Sequence, residues 1–280
     1  MFNNMSVTSI AYVAAMVAIY LLVVLALVIA LLVEFILRRK AVRGYLGYGL
    51  LFGGLVVALD VLCVALEPKV LRALHPCVLV PMDVLVFAKI ALCTCVGMYC
   101  CSALGMVDMP WLRRLAGRAG PPGPAPWKGA MAAVGVALWG LGLTWLLFAL
   151  THPQLSTFLR NFSQTGYARM GLGGKISPLT VTVVIAFAVG EELVFRLGLQ
   201  NYLALRLGLQ GRKYWIPVAI TTVVWTIGHA NMLDPEWVKL VQIFALGIPL
   251  GFLFRRFGLE SCILAHAAFN ILALFAWGTS

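Results

Sequence analysis

Polar positions in this chain are few and clustered, and between them run apolar stretches with little alternation. A helix needs about 20 residues to cross roughly 30 Å of hydrocarbon. Eight stretches approach or exceed that length: 7–37, 44–66, 78–107, 129–151, 177–198, 215–231, 237–254 and 259–278. The pattern predicts an all-α, polytopic membrane protein of about eight transmembrane helices. The clearest break is 108–128, where Gly117, Gly120, Pro121, Pro122, Gly123, Pro124 and Pro126 occur with three arginines; such a stretch does not continue a helix. It separates an N-terminal three-helix membrane region, 1–107, from a C-terminal five-helix region, 129–280, and reads as a cytoplasmic linker. A second polar connection, 152–175, is expected to carry a short surface helix around 155–162. The first stretch has no basic residue before it, exceeds a signal-peptide core in length and is followed by Arg38, Arg39 and Lys40. It therefore reads as a retained anchor.

Composition strengthens this picture. The set AVILMFWYC makes up 62% of the chain and charged residues 11%, against about 25% charged in soluble domains. A cytosolic enzyme and a disordered tail are excluded on that ground. The net charge of +11 comes from 21 Lys and Arg against 10 Asp and Glu. Those positives sit in small groups at helix ends, most of them in alternate loops, which places both termini outside by the positive-inside rule. They form no single patch, so nucleic acid is not a partner, and anionic lipid headgroups are the expected counterpart. Most of the seven cysteines, Cys63, Cys77, Cys93, Cys95, Cys100, Cys101 and Cys262, lie inside spans and read as small apolar packing groups. Cys93 and Cys95, two apart on a helix, point to different sides and make a poor metal pair. No disulfide framework is implied.

Ionisable residues within the spans carry the chemistry, because charge in hydrocarbon is costly unless paired or facing a polar cavity. In the N-terminal half these are Glu34, Asp60, Asp83 and Lys89. Glu34 lies near Arg38 at a helix end, where it can snorkel, and Asp60 or Asp83 could pair with Lys89 to hold helices together. The C-terminal half is richer. Glu191-Glu192-Leu-Val-Phe-Arg196, Trp225-Thr-Ile-Gly-His229 and His266-Ala-Ala-Phe-Asn270 fall on three separate helices. Glu192 and Arg196, at i and i+4, share a face, and Glu191 is left to point elsewhere. His266 and Asn270 likewise face one cavity. A carboxylate beside an imidazole can take a proton from water, while an imidazole and a carboxamide can donate to a developing oxyanion. These are the parts for amide hydrolysis without a covalent intermediate. A divalent metal such as zinc, held by Glu191, His229 and His266, is the alternative way to activate water, although no H-E-x-x-H helix is present. Depth sets a condition on either scheme: Glu191 falls midway along its span and His229 near the outer end of the next. A helix continuing toward Gly208 would bring the two level.

The series E-E-x-x-x-R, aromatic-x-x-x-H and H-x-x-x-N, in that order on hydrophobic helices over 177–278, resembles the CAAX protease and bacteriocin-processing family of intramembrane endopeptidases, also called the Abi family. The resemblance implies Glu191 as catalytic base supported by Glu192 and Arg196, His229 helping to activate water, and His266 with Asn270 stabilising the oxyanion. It implies a membrane-anchored protein or peptide substrate cut near its C-terminal or membrane-embedded tail, in the plasma membrane of a prokaryote. Members of this family have been described both as metalloproteases and as metal-free glutamate proteases; the missing H-E-x-x-H and thiolate clusters favour the latter, so no cofactor is expected. The second motif opens with Trp225 where the family usually has Phe, which keeps an aromatic packing group. The alternative reading is a non-catalytic scaffold or bacteriocin-immunity protein of the same fold, its polar motifs serving as helix glue.

Overall fold

A computed structural model describes residues 7–66, 76–115, 117, 124–156 and 178–277. Its long helices are α1 (Val7–Leu37), α3 (Leu46–Leu66), α4 (Pro76–Ala103), α6 (Pro126–Thr151), α10 (Glu236–Phe257) and α11 (Leu259–Trp277), with a short α2 (Arg39–Val42) after the first. The chain is a polytopic all-α membrane protein. Among the described residues six helices are long and apolar enough to cross a bilayer, and large apolar side chains such as Leu22, Leu85, Trp145 and Phe275 are exposed on their outer faces, as a lipid-facing surface requires.

The two remaining apolar stretches depart from simple spans, and both carry site residues. The fifth is longer than the apolar pattern suggested: α7 (Pro178–Glu191) runs without a break into a nine-residue π-helix (Glu192–Gln200) and then α8 (Asn201–Arg206). The sixth is shorter. Helix α9 (Trp215–Ile227) has 13 residues, about 20 Å of rise, which falls short of roughly 30 Å of hydrocarbon. Beyond it the chain turns through Asn231, in the left-handed conformation at φ 60° that asparagine tolerates better than most residues. A two-residue strand, β2 (Leu233–Asp234), then pairs antiparallel with β1 (Gln154–Leu155). Ser156 adds a main-chain bond to the Met232 carbonyl at 3.1 Å and a hydroxyl bond to the Asn231 carbonyl. These bonds satisfy irregular backbone groups that would otherwise be costly beside lipid. The short helix expected around 155–162 is thus replaced at its start by β1, because Leu155 pairs with Leu233; residues 157–162 lie outside those described.

The linker is not a free tether at its beginning. Asp108 accepts from its neighbour's amide, Met109 N, at 2.6 Å and holds the Arg113 guanidinium at 2.5 and 2.7 Å; Asp108 hydrogen-bonding raises the pKa of Arg113 above its ordinary value. Glu260 of α11 accepts from the amides of Trp111 and Leu112 at 3.1 and 3.0 Å, capping α5 (Pro110–Leu115), and Leu259 N donates to the Asp108 carbonyl at 2.7 Å. The linker's first segment is thereby fastened to the α10–α11 corner.

Glu34 does not snorkel. It is 2% exposed and accepts two hydrogen bonds from Arg206 at the end of α8, with Arg38 Nε 3.9 Å away. Pairing with a charge from the C-terminal half lets the carboxylate stay buried. Asp60 lies outside the side chains described. Cys93, Cys95, Cys100, Cys101 and Cys262 are free and buried, in keeping with a packing role.

Helix α4 crosses the π-helix closely enough to require glycine on both sides. A Cβ on Gly97 would lie 2.6 Å from the Leu197 carbonyl carbon, and one on Gly198 would lie 2.9 Å from Cys93 Cβ. Gly97→Ala will therefore push α4 off the π-helix, at a cost of about 1–3 kcal/mol. A fall in the unfolding midpoint in detergent checks this; an unchanged midpoint would mean the two helices stand farther apart.

Candidate active site

The three motifs converge. Glu191 ends α7 and Glu192 opens the π-helix, whose residues are all buried. Arg196 follows on the same side, its Nε 3.5 Å from Glu192 Oε2, with the two side chains 0% and 1% exposed. The wide helix is held from beneath. Asn201 Nδ2 donates to the carbonyls of Arg196 and Leu197 at 3.0 and 2.9 Å, and Tyr214 Oη donates to Asn201 Oδ1 at 2.8 Å. Gln200 Nε2 reaches Tyr214 Oη at 2.9 Å and the Gly251 carbonyl at 3.1 Å. Burial pushes the Tyr214 phenol well above its ordinary pKa, so it stays a hydroxyl donor. π-Helical segments are rare and recur at functional sites.

From α11, His266 places Nδ1 2.8 Å from Glu192 Oε1 and Nε2 3.9 Å from Glu191 Oε2. An ionised carboxylate only accepts, so Nδ1 carries a proton, and Nε2 is presented to Glu191. From α9, Trp225 Nε1 donates to Glu191 Oε2 at 2.6 Å. The Trp225 carbonyl lies 2.9 Å from His229 Nδ1; a carbonyl also only accepts, so that nitrogen is the protonated one and Nε2 holds the lone pair. The indole ring meets His229 and His266 edge to face, at centroid distances of 5.2 and 5.3 Å, and the Arg196 guanidinium lies 4.8 Å from its centre. Glu191 is far more open than Glu192, with 29% of its side chain exposed against 1%.

The depth condition is met by the long fifth helix. Glu191 and Trp225, which lies one turn before His229, are level enough for the indole N–H to reach Glu191 Oε2 at 2.6 Å. The charge of Glu191 is felt at His229. Asn270 sits one turn beyond His266 on the same face of α11, half-buried.

Two groups beside the motifs, Tyr20 and Lys239, were not singled out by the sequence pattern, and the role of a third residue within the motifs, Trp225, is larger than packing. Tyr20 of α1 brings its hydroxyl end against Gly228, where a Cβ would come 3.1 Å from Oη, and it interacts electrostatically with Glu191. Lys239, in the first turns of α10, also feels Glu191. Its ammonium donates to Gln242 Oε1 at 2.9 Å, and Gln242 Nε2 donates to Thr144 Oγ1 of α6 at 2.8 Å. An ammonium inside an apolar helix was a signal that could have marked it. Trp225 was read as packing alone; its indole N–H is the hydrogen-bond donor that a Phe lacks. Among the described residues no group of three or more His, Cys, Asp or Glu side chains is arranged to hold a metal ion, and His229 and His266 each commit Nδ1 to a protein acceptor.

Fold and site together define a multi-pass membrane protein with an acid and imidazole cluster enclosed by its C-terminal helices. Residues 173–272 match the family of type II CAAX prenyl endopeptidases, Rce1-like, so the resemblance carried by the three motifs holds over that segment. A curated relative, the sporulation-killing factor biosynthesis protein SkfC of Bacillus subtilis (strain 168), is 26% identical over 140 residues, covering 50% of this chain and 27% of the relative. The chain thus matches only about a quarter of that relative's length. No solved structure matches this chain.

Proposed function

We propose that this protein is an intramembrane endopeptidase that hydrolyses a peptide bond near the C-terminal or membrane-embedded tail of a protein or peptide, using a water activated by Glu191. The observation that carries the reading is the disposition of the two adjacent carboxylates. Glu192 is buried, paired with Arg196 and bonded to His266, whereas Glu191 is partly open and has one oxygen fixed by Trp225. One carboxylate is spent on structure and the other is presented to a reactant.

In this scheme Glu191 Oε1 takes a proton from water as the water oxygen attacks the carbonyl carbon, and His229 Nε2 accepts from the same water to orient it. His266, carrying a second proton at Nε2 with Glu192 as its counter-charge, and the Asn270 carboxamide donate to the oxyanion. Collapse breaks the C–N bond, and the proton held by Glu191 passes to the leaving amine. The scheme routes no step through a metal, and the chelator experiment below decides between it and the metal alternative, since histidines that bind metals also bond their other ring nitrogen to a protein acceptor. Similarity to a sporulation-killing factor biosynthesis protein adds peptide precursors to the substrates worth testing beside lipidated tails.

The test is a mass-spectrometric comparison of membrane-protein and peptide C-termini in cells carrying the wild-type protein or its Glu191→Gln variant. Tails shortened only with the wild type support the proposal; identical termini in both would overturn it. Cleavage by the purified protein should persist in a strong chelator, and loss of rate restored by added zinc would point to the metal alternative.

A further inference from the structure

We infer that Trp225 is a positioning residue for Glu191 and His229 together, and that its indole N–H, beyond its bulk, sets the reactive geometry. The inference rests on the endopeptidase reading above. Five contacts converge on this residue, which is 1% exposed. Nε1 donates to Glu191 Oε2 at 2.6 Å, and the carbonyl holds His229 Nδ1 at 2.9 Å. The ring edge-packs against both histidines, and Arg196 lies over it. On α10, Gly247 leaves the ring its room: a Cβ there would come 3.1 Å from Trp225 Cε3.

The ring is therefore clamped, and a clamped ring aims its N–H. A carboxylate with one oxygen held by a fixed donor cannot rotate freely, so Oε2 is engaged and Oε1 is the oxygen left to meet water. The same residue fixes the tautomer of His229 through its main chain. One side chain on α9 thus couples the orientation of the base on α7 to the imidazole beyond the end of its own helix. Phenylalanine would fill much of the space and offer no donor. Small displacements of a reacting group cost up to about 100-fold in rate, so the N–H contributes to turnover even though it touches neither water nor substrate.

The decisive variant is Trp225→benzothienylalanine, which keeps the bicyclic outline and replaces the N–H with sulfur. In proteoliposomes, kcat for a cleaved tail peptide should fall about 10- to 100-fold with KM within about twofold of wild type and an unchanged unfolding midpoint. Trp225→Phe should show a similar loss of kcat. A readout independent of turnover is the ultraviolet resonance Raman band that reports indole N–H hydrogen bonding, isolated as the wild type minus Trp225→Phe difference. It should indicate a strong hydrogen bond that weakens in Glu191→Ala. Wild-type kcat in the benzothienyl variant, or a Raman band insensitive to Glu191, overturns the inference and leaves the endopeptidase reading standing. Equal cleavage by wild type and Glu191→Gln, or none by either, overturns that reading and this inference with it.

Discussion

Glu191→Gln will slow tail cleavage by at least about 1,000-fold while the protein remains folded and inserted. Glutamine is nearly the same size as glutamate, and its carbonyl oxygen can still accept the Trp225 N–H, so the packing around α7 and α9 survives. What is lost is the ability to take a proton. Positioned general bases contribute about 100- to 10,000-fold, and removing the charge beside His229 and His266 adds to the loss. Initial rates on a synthetic tail peptide in proteoliposomes, with the unfolding midpoint measured on the same preparation, test both halves of the expectation. Wild-type rates in this variant would remove the carboxylate from the chemistry.

Arg196→Met will produce the largest loss of stability. Its guanidinium is fully buried, 3.5 Å from a carboxylate that is 1% exposed. Removing one partner of a buried pair costs about 3–5 kcal/mol, because the other charge is left uncompensated. Methionine preserves most of the stem packing, so the loss reports charge. Combining Arg196→Met with Glu192→Gln should recover much of the stability, since the buried carboxylate paired with Arg196 is then gone as well; such a cycle separates coupling from bulk. Equilibrium unfolding in mild detergent provides the measurement. A single variant as stable as wild type would mean that the pair contributes nothing to the fold.

Much of this arrangement is written in local spacing. Glu192 and Arg196 share a face because four residues separate them, and His266 and Asn270 do so for the same reason; both relations follow from helical geometry alone. The long apolar helices are equally plain, since lipid leaves little choice of composition. What spacing does not reveal is how far a helix continues or where it stops. The fifth stretch extends to Arg206 because Asn201 and Tyr214, 13 residues apart, secure its wide turns, and that partnership appears only when the chain is folded. The sixth stops at Ile227, short of the Asn231 end read from the pattern, because the turn at Asn231 and the pairing of β2 with β1 take over. Trp225 was underestimated for a related reason. An aromatic residue in an apolar motif packs somewhere in every fold, and only the position of Glu191 turns its N–H into a working contact. Tyr20 was hidden because its neighbour is more than 200 residues away in sequence, on a helix whose own apolar pattern is complete without it.

The pairing of Glu34 with Arg206 ties the order of synthesis to the order of assembly. Helix α1 is made first and carries an acid that finds its main counter-charge only 172 residues later. Until α8 has emerged from the ribosome, that acid has only Arg38 and water to hold its charge, and the first helix has reason to stay near the aqueous boundary. Arrival of Arg206 then draws the first helix and α8 into one body, so a truncated product that ends before this arginine carries an unsettled first helix, a ready mark for membrane quality control.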